Sequence, residues 1–163
     1  MTQPSLNPQP LQEFPVLTGI GGKEDELIYQ QRVAAATTRI VKIVFPNVTN
    51  HAEILFGGTA LQWMDEVASI TAIRFSRQQV VTVSLDRINF NKVIPAGAMV
   101  ELVATVASVG NTSLKIQVDI YLEFMDRDGR ELAITGMFTF VAITADRRPT
   151  PIVWDRPLID IAE

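Results

Sequence analysis

Residues 46–66 read PNVTNHAEILFGGTALQWMDE, and the double glycine in this stretch predicts the start of a long helix. Beyond Gly57 and Gly58, apolar residues recur at helical spacing as far as Arg77. They are Leu61, Met64, Val67, Ala68, Thr71 and Ala72, with Trp63, Ile70 and Ile73 on other sides. A helix that is apolar on most sides is expected to be nearly surrounded by protein.

The segments around this helix are rich in β-branched residues and end at turn residues. One strand is predicted before the helix, at 37–45, and four after it, at 80–90, 98–109, 113–125 and 131–144. Short turns between the last four strands favour antiparallel pairing, and a sheet that curls around the helix would cover its apolar sides. The predicted fold class is therefore α+β, with about five antiparallel strands wrapped around one central helix.

Composition and turn residues divide the chain into three parts. Prolines and glycines interrupt the first 22 residues, and a moderate helical tendency follows up to residue 36, so residues 1–36 are predicted to form a partly flexible N-terminal arm. Residues 37–148 form the predicted domain. Pro149, Pro151 and Pro157 predict an irregular C-terminal strap over residues 149–163.

The composition also disfavours several classes of protein. With 163 residues, 47% of them hydrophobic and 20% charged, the chain can form one folded core. A net charge of -4 without a dense basic run disfavours a nucleic-acid partner. The chain contains no cysteine, which excludes a disulfide framework and a thiolate metal site. Without a signal-like start or an apolar run of membrane length, we expect a cytoplasmic protein with no membrane partner.

The helix start and one carboxylate are the candidate chemical groups. Gly57 and Gly58 expose backbone N–H groups at the positive end of the helix dipole, which suits a ligand oxyanion, although the pair could also serve only a tight turn. Asp65 lies two turns further on among apolar neighbours, where a carboxylate is costly unless paired or used. Three interpretations of Asp65 are open: it takes part in catalysis, it forms an ion pair, or it is exposed at a boundary between subunits. Glu66 is a second carboxylate directly after Asp65, and it could equally be the one of the two that lies at the surface.

Several ordered blocks of sequence resemble the acyl-CoA hydrolase branch of the hotdog thioesterase superfamily, which includes brain-type and small bacterial enzymes. The blocks are NHAEILFGGTALQWMDEVA, VVTVSLDRINF, IPAG, VGNTS and GMFTFVAI, and the resemblance extends from about Thr38 to Arg148. It implies a hotdog fold and hydrolysis of acyl-CoA to a fatty acid and CoA, with neither a metal nor a separate cofactor.

The resemblance assigns roles to four residues. The catalytic Asn and Asp of the family fall on Asn50 and Asp65, fifteen positions apart. Asn50 of one subunit is implied to face Asp65 of its partner in a homodimer, and such dimers often form trimers of dimers. Asp65 would act as general base, or as a nucleophile that forms an anhydride. Asn50 would orient water or polarise the carbonyl, while the Gly57 and Gly58 amides would hold the oxyanion.

The resemblance also places CoA along the strand edges beside the helix. Candidate contacts for its pantetheine amides or phosphates are Thr82, Ser84, Asn111, Thr112 and Ser113. Candidate contacts for its nucleotide phosphates are Arg87, Lys92, Arg147 and Arg148. Each of these charges, taken singly, could instead be a solvated surface residue.

One position departs from the family pattern. The family usually has a glycine three residues before the Phe of FGG, and this chain has Glu53 there. The Glu53 side chain could narrow the thioester pocket, add charge near the carbonyl or project into solvent.

Two other functions stay open at this point. A hydratase of the same fold would use a His with an acid, and the single histidine, His51, lies in the loop beside Asn50, outside any hydratase-like motif. A protein that binds acyl-CoA without cleaving it is the non-enzymatic alternative.

Overall fold

The computed structural model describes residues 23–155. The elements in chain order are α1 (Lys23–Ala36), β1 (Thr38–Ile43), a short 3-10 turn (Pro46–Val48), α2 (Gly57–Ser76), β2 (Gln79–Phe90), β3 (Met99–Val109), β4 (Ser113–Glu123) and β5 (Arg130–Ile143). The predicted long helix and five strands are confirmed, with ends that differ by a few residues. The remainder of the predicted arm and strap, residues 1–22 and 156–163, lies outside the described residues.

The five strands form one antiparallel sheet in the order β1-β3-β4-β5-β2. The strands β3, β4 and β5 follow one another through short turns, while α2 lies between β1 and β2 in the chain and carries it to the far side of the sheet. Within the described residues, β2 pairs only with β5. Its outer edge therefore presents unpaired backbone groups to a possible partner strand.

Helix α2 packs on one face of this sheet and contacts all five strands. Its fully buried residues include Ala60, Met64, Val67, Ala68, Ala72 and Phe75. Gly136 of β5 makes room for two side chains, because a Cβ atom there would lie 3.0 Å from Met64 Cε and would clash with Ile88 Cδ1. A sheet whose five strands all contact one helix must curve around it, as predicted.

Part of the α2 surface that faces away from the sheet is exposed among residues 23–155. Ile73 keeps 47% of its surface exposed, and Gln62, Glu66 and Arg74 are exposed as well. Within the described residues, the expectation that the helix is nearly surrounded by protein is therefore met only in part.

Helix α1 packs against the carboxyl-terminal end of α2. Its buried residues, Tyr29, Arg32, Val33 and Ala36, follow the i, i+3, i+4, i+7 spacing of one helix face. Arg32 Nη1 donates a 3.1 Å hydrogen bond to the Phe75 carbonyl oxygen. The Tyr29 ring meets the rings of Phe75 and Trp154 edge to face, with centroids 5.9 and 5.7 Å away. Residues 23–36, which the sequence analysis placed in the arm, are thus packed against the domain.

The loop between β1 and α2 is tied down by backbone hydrogen bonds. Glu53 N donates to Asn50 O at 3.0 Å, and Ala96 N donates to Glu53 O at 2.9 Å. Glu53 itself adopts a left-handed backbone conformation, with φ of 56°, and its side chain is exposed. This backbone conformation explains a preference for glycine at the position. In the single chain the Glu53 side chain projects into solvent, and its position relative to a site shared with a second subunit stays a prediction.

The Tyr29 hydroxyl provides a test of the α1 packing. It is buried without a hydrogen-bond partner among residues 23–155, and burial, with a smaller contribution from Glu26, raises the pKa of Tyr29 to about 12. We expect Tyr29→Phe to leave the free energy of unfolding at about pH 8 unchanged or to increase it by up to about 1 kcal/mol. The reason is that burying a hydroxyl carries a desolvation cost, which no hydrogen bond offsets here.

The alkaline range gives a second readout for the same variant. The pKa of Tyr29 is raised above its ordinary value of 10.0 on folding, so its contribution to stability is complete below pH 10 and is lost as the pH approaches 12. Urea unfolding at about pH 8 and about pH 11 should show a smaller alkaline loss for Tyr29→Phe than for wild type. A loss above about 2 kcal/mol at pH 8 would contradict the absence of a partner.

Replacement of Glu53 tests the backbone conformation of the loop. We expect Glu53→Gly to increase the free energy of unfolding by about 1 kcal/mol, because glycine has no Cβ and adopts positive φ without strain. Glu53→Ala removes the same carboxylate but keeps the Cβ, and it should give little or no increase. Equal stability of the two variants, measured by thermal or urea unfolding, would show that charge rather than φ decides the effect.

Candidate active site

The start of α2 carries free amide groups. Phe56 is the N-cap residue and makes no side-chain hydrogen bond to the helix, and Ala60 N donates to Phe56 O at 3.0 Å. The N–H groups of Gly57 and Gly58 therefore have no intrahelical acceptor. A Cβ on Gly58 would lie 2.8 Å from the Phe56 ring, so this glycine also serves packing. The two interpretations of the glycine pair, a structural turn and an oxyanion site, are compatible.

Asn50 is held in one orientation by its own loop. Its Oδ1 accepts hydrogen bonds from Ala52 N at 2.9 Å and from Ile54 N at 3.3 Å, and its backbone N donates to Ile54 O at 2.8 Å. Because Oδ1 faces two donors, the amide orientation is determined. The Nδ2 group has no acceptor among the described residues and is available as a hydrogen-bond donor. Its neighbour His51 is exposed.

Asp65 is oriented by a hydroxyl from the neighbouring strand. Thr82 of β2 donates a 2.8 Å hydrogen bond from Oγ1 to Asp65 Oδ1, and both residues are partly buried. Asp65 takes part in no ion pair within residues 23–155, whereas Glu66 lies 4.0 Å from Lys42 and is exposed. Asp65 is thus a polar group without a countercharge, and Glu66 is the surface member. The sequence analysis had placed Thr82 against CoA and missed its contact with the carboxylate.

The length of α2 separates the two reactive ends of the candidate site. Gly57 and Asp65 are eight positions apart, which corresponds to about 12 Å along the helix axis. A hydrogen bond spans only about 3 Å between heavy atoms. One thioester carbonyl therefore cannot reach both the helix start and Asp65 of the same α2.

The predicted CoA contacts divide into two groups at opposite ends of β2. Ser113 pairs with Val141, and Ala142 N donates to Thr112 O at 2.9 Å, so this turn flanks the start of β2, where Val80 pairs with Ala142. The residues at this end are Thr82, Asn111, Thr112, Ser113, Arg147 and Arg148. Ser84 follows a bulge in β2, and its hydroxyl donates to Asp86.

The second group lies near the start of α2. Arg87 is exposed at a bulge with φ of 54°, and Lys92 forms an ion pair with Glu131. Thr82 and Lys92 are ten residues apart, roughly 33 Å for an extended strand. A single chain therefore does not bring all predicted CoA contacts together.

An apolar depression of about 170 Å³ adjoins the helix start and did not emerge from the sequence analysis. It is lined by Ile54, Leu55, Phe90, Asn91, Lys92, Val93, Ile94 and Ile134. Its residues come from the loop before α2, the end of β2, the segment after β2 and the first half of β5, so no single sequence pattern marks it.

Two further properties concern ligands and membranes. Among residues 23–155, no group of three His, Cys, Asp or Glu side chains could hold a metal ion. Over the same range, none of the helices has the length and apolar character needed to cross a bilayer.

Several known proteins have sequences similar to this chain. Residues 52–126 match the sequence model of the thioesterase superfamily. The uncharacterized acyl-CoA thioester hydrolase YkhA of Bacillus subtilis (strain 168) is 38% identical over 117 residues, which cover 71% of this chain and 68% of the relative.

Solved structures of similar fold include an acyl-CoA hydrolase from Staphylococcus aureus in complex with butyryl coenzyme A, coenzyme A and coenzyme A disulfide. It has a TM-score of 0.72 and 33% identity, over 74% of this chain and 73% of that one. The same hydrolase has been solved with an Asn, an Asp or a Thr replaced by Ala, at positions fifteen and then seventeen residues apart. The hexameric thioesterase y2039 from Yersinia pestis has a TM-score of 0.65 and 26% identity, over 70% and 93% of the two chains.

The identity of 38% extends over more than two thirds of both chains, and the hotdog fold expected from the sequence is confirmed by the solved neighbours. The chain belongs to the acyl-CoA thioester hydrolases of the thioesterase superfamily.

Proposed function

We propose that this protein hydrolyses the thioester bond of acyl-CoA, releasing a carboxylic acid and free CoA. The observation that carries the proposal is the hydrogen bond from Thr82 to Asp65, which orients a partly buried carboxylate that has no countercharge within residues 23–155. Such a carboxylate beside an open sheet edge suits a general base.

The spacing of the site residues supports the same assignment. Asn50 and Asp65 are fifteen positions apart, and Asp65 and Thr82 are seventeen apart. These are the separations between the Asn, Asp and Thr that were replaced in the Staphylococcus aureus hydrolase. We therefore assign Thr82 as a positioning residue for Asp65. Lys92 is held by Glu131, so the CoA contacts that we propose are Ser84, Arg87, Asn111, Thr112, Ser113, Arg147 and Arg148.

The site is completed by a second copy of the chain. Because α2 holds Gly57 about 12 Å from Asp65, the carbonyl bound at one helix start needs an Asp65 from another subunit. The free edge of β2 offers a place for pairing, and Val81 and Val83 of this strand are 41% and 53% exposed. Antiparallel pairing of two β2 edges would bring the Asp65 end of one chain toward the Gly57 end of its partner. The hexameric relatives support further assembly as a trimer of dimers.

The reaction then follows from the groups in place. Asp65 takes a proton from water as the water oxygen attacks the thioester carbon, and the carbonyl oxygen gains negative charge. The Gly57 and Gly58 amides stabilise that oxygen, and Asn50 Nδ2 polarises the carbonyl or orients the water. When the carbon–sulfur bond breaks, the CoA thiolate takes up the proton that Asp65 received from water, which restores the Asp65 carboxylate, and CoA leaves. Direct attack by Asp65, with a mixed anhydride intermediate, uses the same groups and stays open.

The proposal includes the expectations about cofactors and location. Hydrolysis by these residues needs no separate cofactor, and we propose a cytoplasmic protein without nucleic-acid or membrane partners.

The hydratase alternative has less support, because His51 is exposed and makes no hydrogen bond to a carboxylate among the described residues. A protein that only binds acyl-CoA would have no use for the oriented Asp65, and turnover separates that alternative from the proposal.

Replacement of the oriented carboxylate tests the mechanism. We expect Asp65→Asn, which keeps an acceptor for Thr82, to lower kcat by at least about a hundredfold, because general-base catalysis contributes 10²–10⁴. Thr82→Val removes the hydroxyl at similar volume and should lower kcat less, with its pH profile altered. CoA release measured with a thiol-reactive chromophore gives both values. Glu66→Gln is the control, and near wild-type turnover of Asp65→Asn would remove Asp65 from the mechanism.

Mixed oligomers test the shared site. Asn50→Ala and Asp65→Asn subunits should each be slow alone, whereas a mixed dimer pairs one intact Asn50 with one intact Asp65. Co-expression with two affinity tags should restore activity to at most about a quarter of the sites if subunits assort randomly into symmetric dimers. Verified mixed dimers that stay as slow as both parents would place Asn50 and Asp65 in sites of single chains.

A further inference from the structure

The apolar depression beside α2 is not occupied by any of the reacting groups. One of its lining residues, Phe90, lies 3.6 Å from the position that a Cβ on Gly57 would take. Another, Leu55, precedes Gly57 by two residues. The depression therefore opens next to the amides that we assign to the thioester oxygen.

The depression has a buried floor and an exposed apolar rim. Leu55, Ile94 and Ile134 are 6%, 1% and 3% exposed, while Phe90 and Val93 at the rim are 55% and 65% exposed. Large apolar side chains with this exposure are unfavourable in water unless a ligand or partner covers them. The charged group at the mouth, Lys92, is neutralised by its ion pair with Glu131.

Backbone hydrogen bonds make the walls of the depression rigid. Leu55 N donates to Ile94 O at 2.8 Å, which ties the loop before α2 to the segment after β2. Asn91 N and Lys92 N both donate to Ala133 O, at 2.8 and 3.1 Å, which ties the same segment to β5. Ligand sites are usually formed in this way before the ligand arrives.

The volume of the depression limits what it can hold. It measures about 170 Å³, and an engineered protein cavity of roughly 150 Å³ binds benzene, a molecule of six carbon atoms. An unbranched chain of about four to six carbons therefore fills the space. Longer chains would have to pass the rim and leave methylene groups in water.

We propose that this depression receives the acyl chain of the substrate and makes the enzyme selective for short acyl groups, of about four to six carbons. The proposal rests on the function proposed above. Each methylene that becomes buried contributes about 0.8 kcal/mol, which is roughly fourfold in kcat/KM if the contact is kept in the transition state. From acetyl-CoA to hexanoyl-CoA kcat/KM should therefore rise, and beyond octanoyl-CoA it should level off or fall.

The test is a series of straight-chain acyl-CoA substrates from acetyl to palmitoyl, assayed with wild type and three variants of the full chain. Ile94→Ala enlarges the floor and should move the maximum of kcat/KM to chains about two carbons longer. Phe90→Ala removes an apolar side chain from the rim, so the increase in kcat/KM from acetyl-CoA to hexanoyl-CoA should become severalfold smaller. Ile116→Ala, which removes the same side-chain volume from the core on β4, should leave the maximum in place.

The outcomes separate this inference from the proposed function. If wild type hydrolyses no member of the series, the proposed function is wrong and the chain-length inference is wrong with it. If wild type hydrolyses the series but folded Ile94→Ala and Phe90→Ala keep its chain-length profile, the acyl chain lies elsewhere and only this inference is overturned. Should Ile94→Ala fail to fold, Phe90→Ala decides alone, because its side chain lies at the surface.

Discussion

The burial of one face of α2 against the sheet is the interaction on which the rest of the structure depends. Ala60, Met64, Val67, Ala68 and Phe75 have essentially no exposed surface, and strands from both ends of the sheet reach the helix. Burial of each larger apolar side chain contributes roughly 1.5–3 kcal/mol, so this contact dominates the stability. It also sets the distance between the helix and β2, where Gly136 allows Met64 and Ile88 to meet.

That packing gives two polar groups fixed positions. With its apolar side against the strands, α2 turns Asp65 toward the edge strand, where Thr82 reaches its carboxylate. The same placement leaves the Gly57 and Gly58 amides at the opposite end of the site, flanked by the rings of Phe56 and Phe90. Because α2 is a rigid helix of 20 residues, its first amides and its Asp65 carboxylate cannot both contact the same thioester carbonyl. The separation within one chain is therefore the physical reason for proposing a site between two chains.

The same edge strand has several roles at once. Its Thr82 hydroxyl orients Asp65, its outer edge is unpaired within residues 23–155, and its last residue, Phe90, forms part of the rim of the apolar depression. The pairing of β2 with β5 is irregular after Thr82 and again after Asp86, and each irregularity changes the direction in which the following side chains point. Left-handed backbone at Arg87 is part of the second irregularity. Catalytic positioning, assembly and acyl selection would thus all depend on one strand.

The elements of the fold were predictable from local patterns. Apolar and polar residues alternate along β4, and apolar residues recur at helical spacing after Gly57. Each pattern arises because one side of the element is buried, so it can be seen in the sequence of that element alone. The spacing of Asn50 and Asp65 was likewise recognisable, whereas α1 was assigned to an arm because prolines and glycines interrupt the residues before it and its own helical tendency is moderate. Only the tertiary structure decided that Thr82 bonds Asp65, that Glu53 has positive φ, and that residues from a loop, β2 and β5 enclose an apolar space. These features join residues far apart in the chain, and their geometry arises only when the sheet closes around α2.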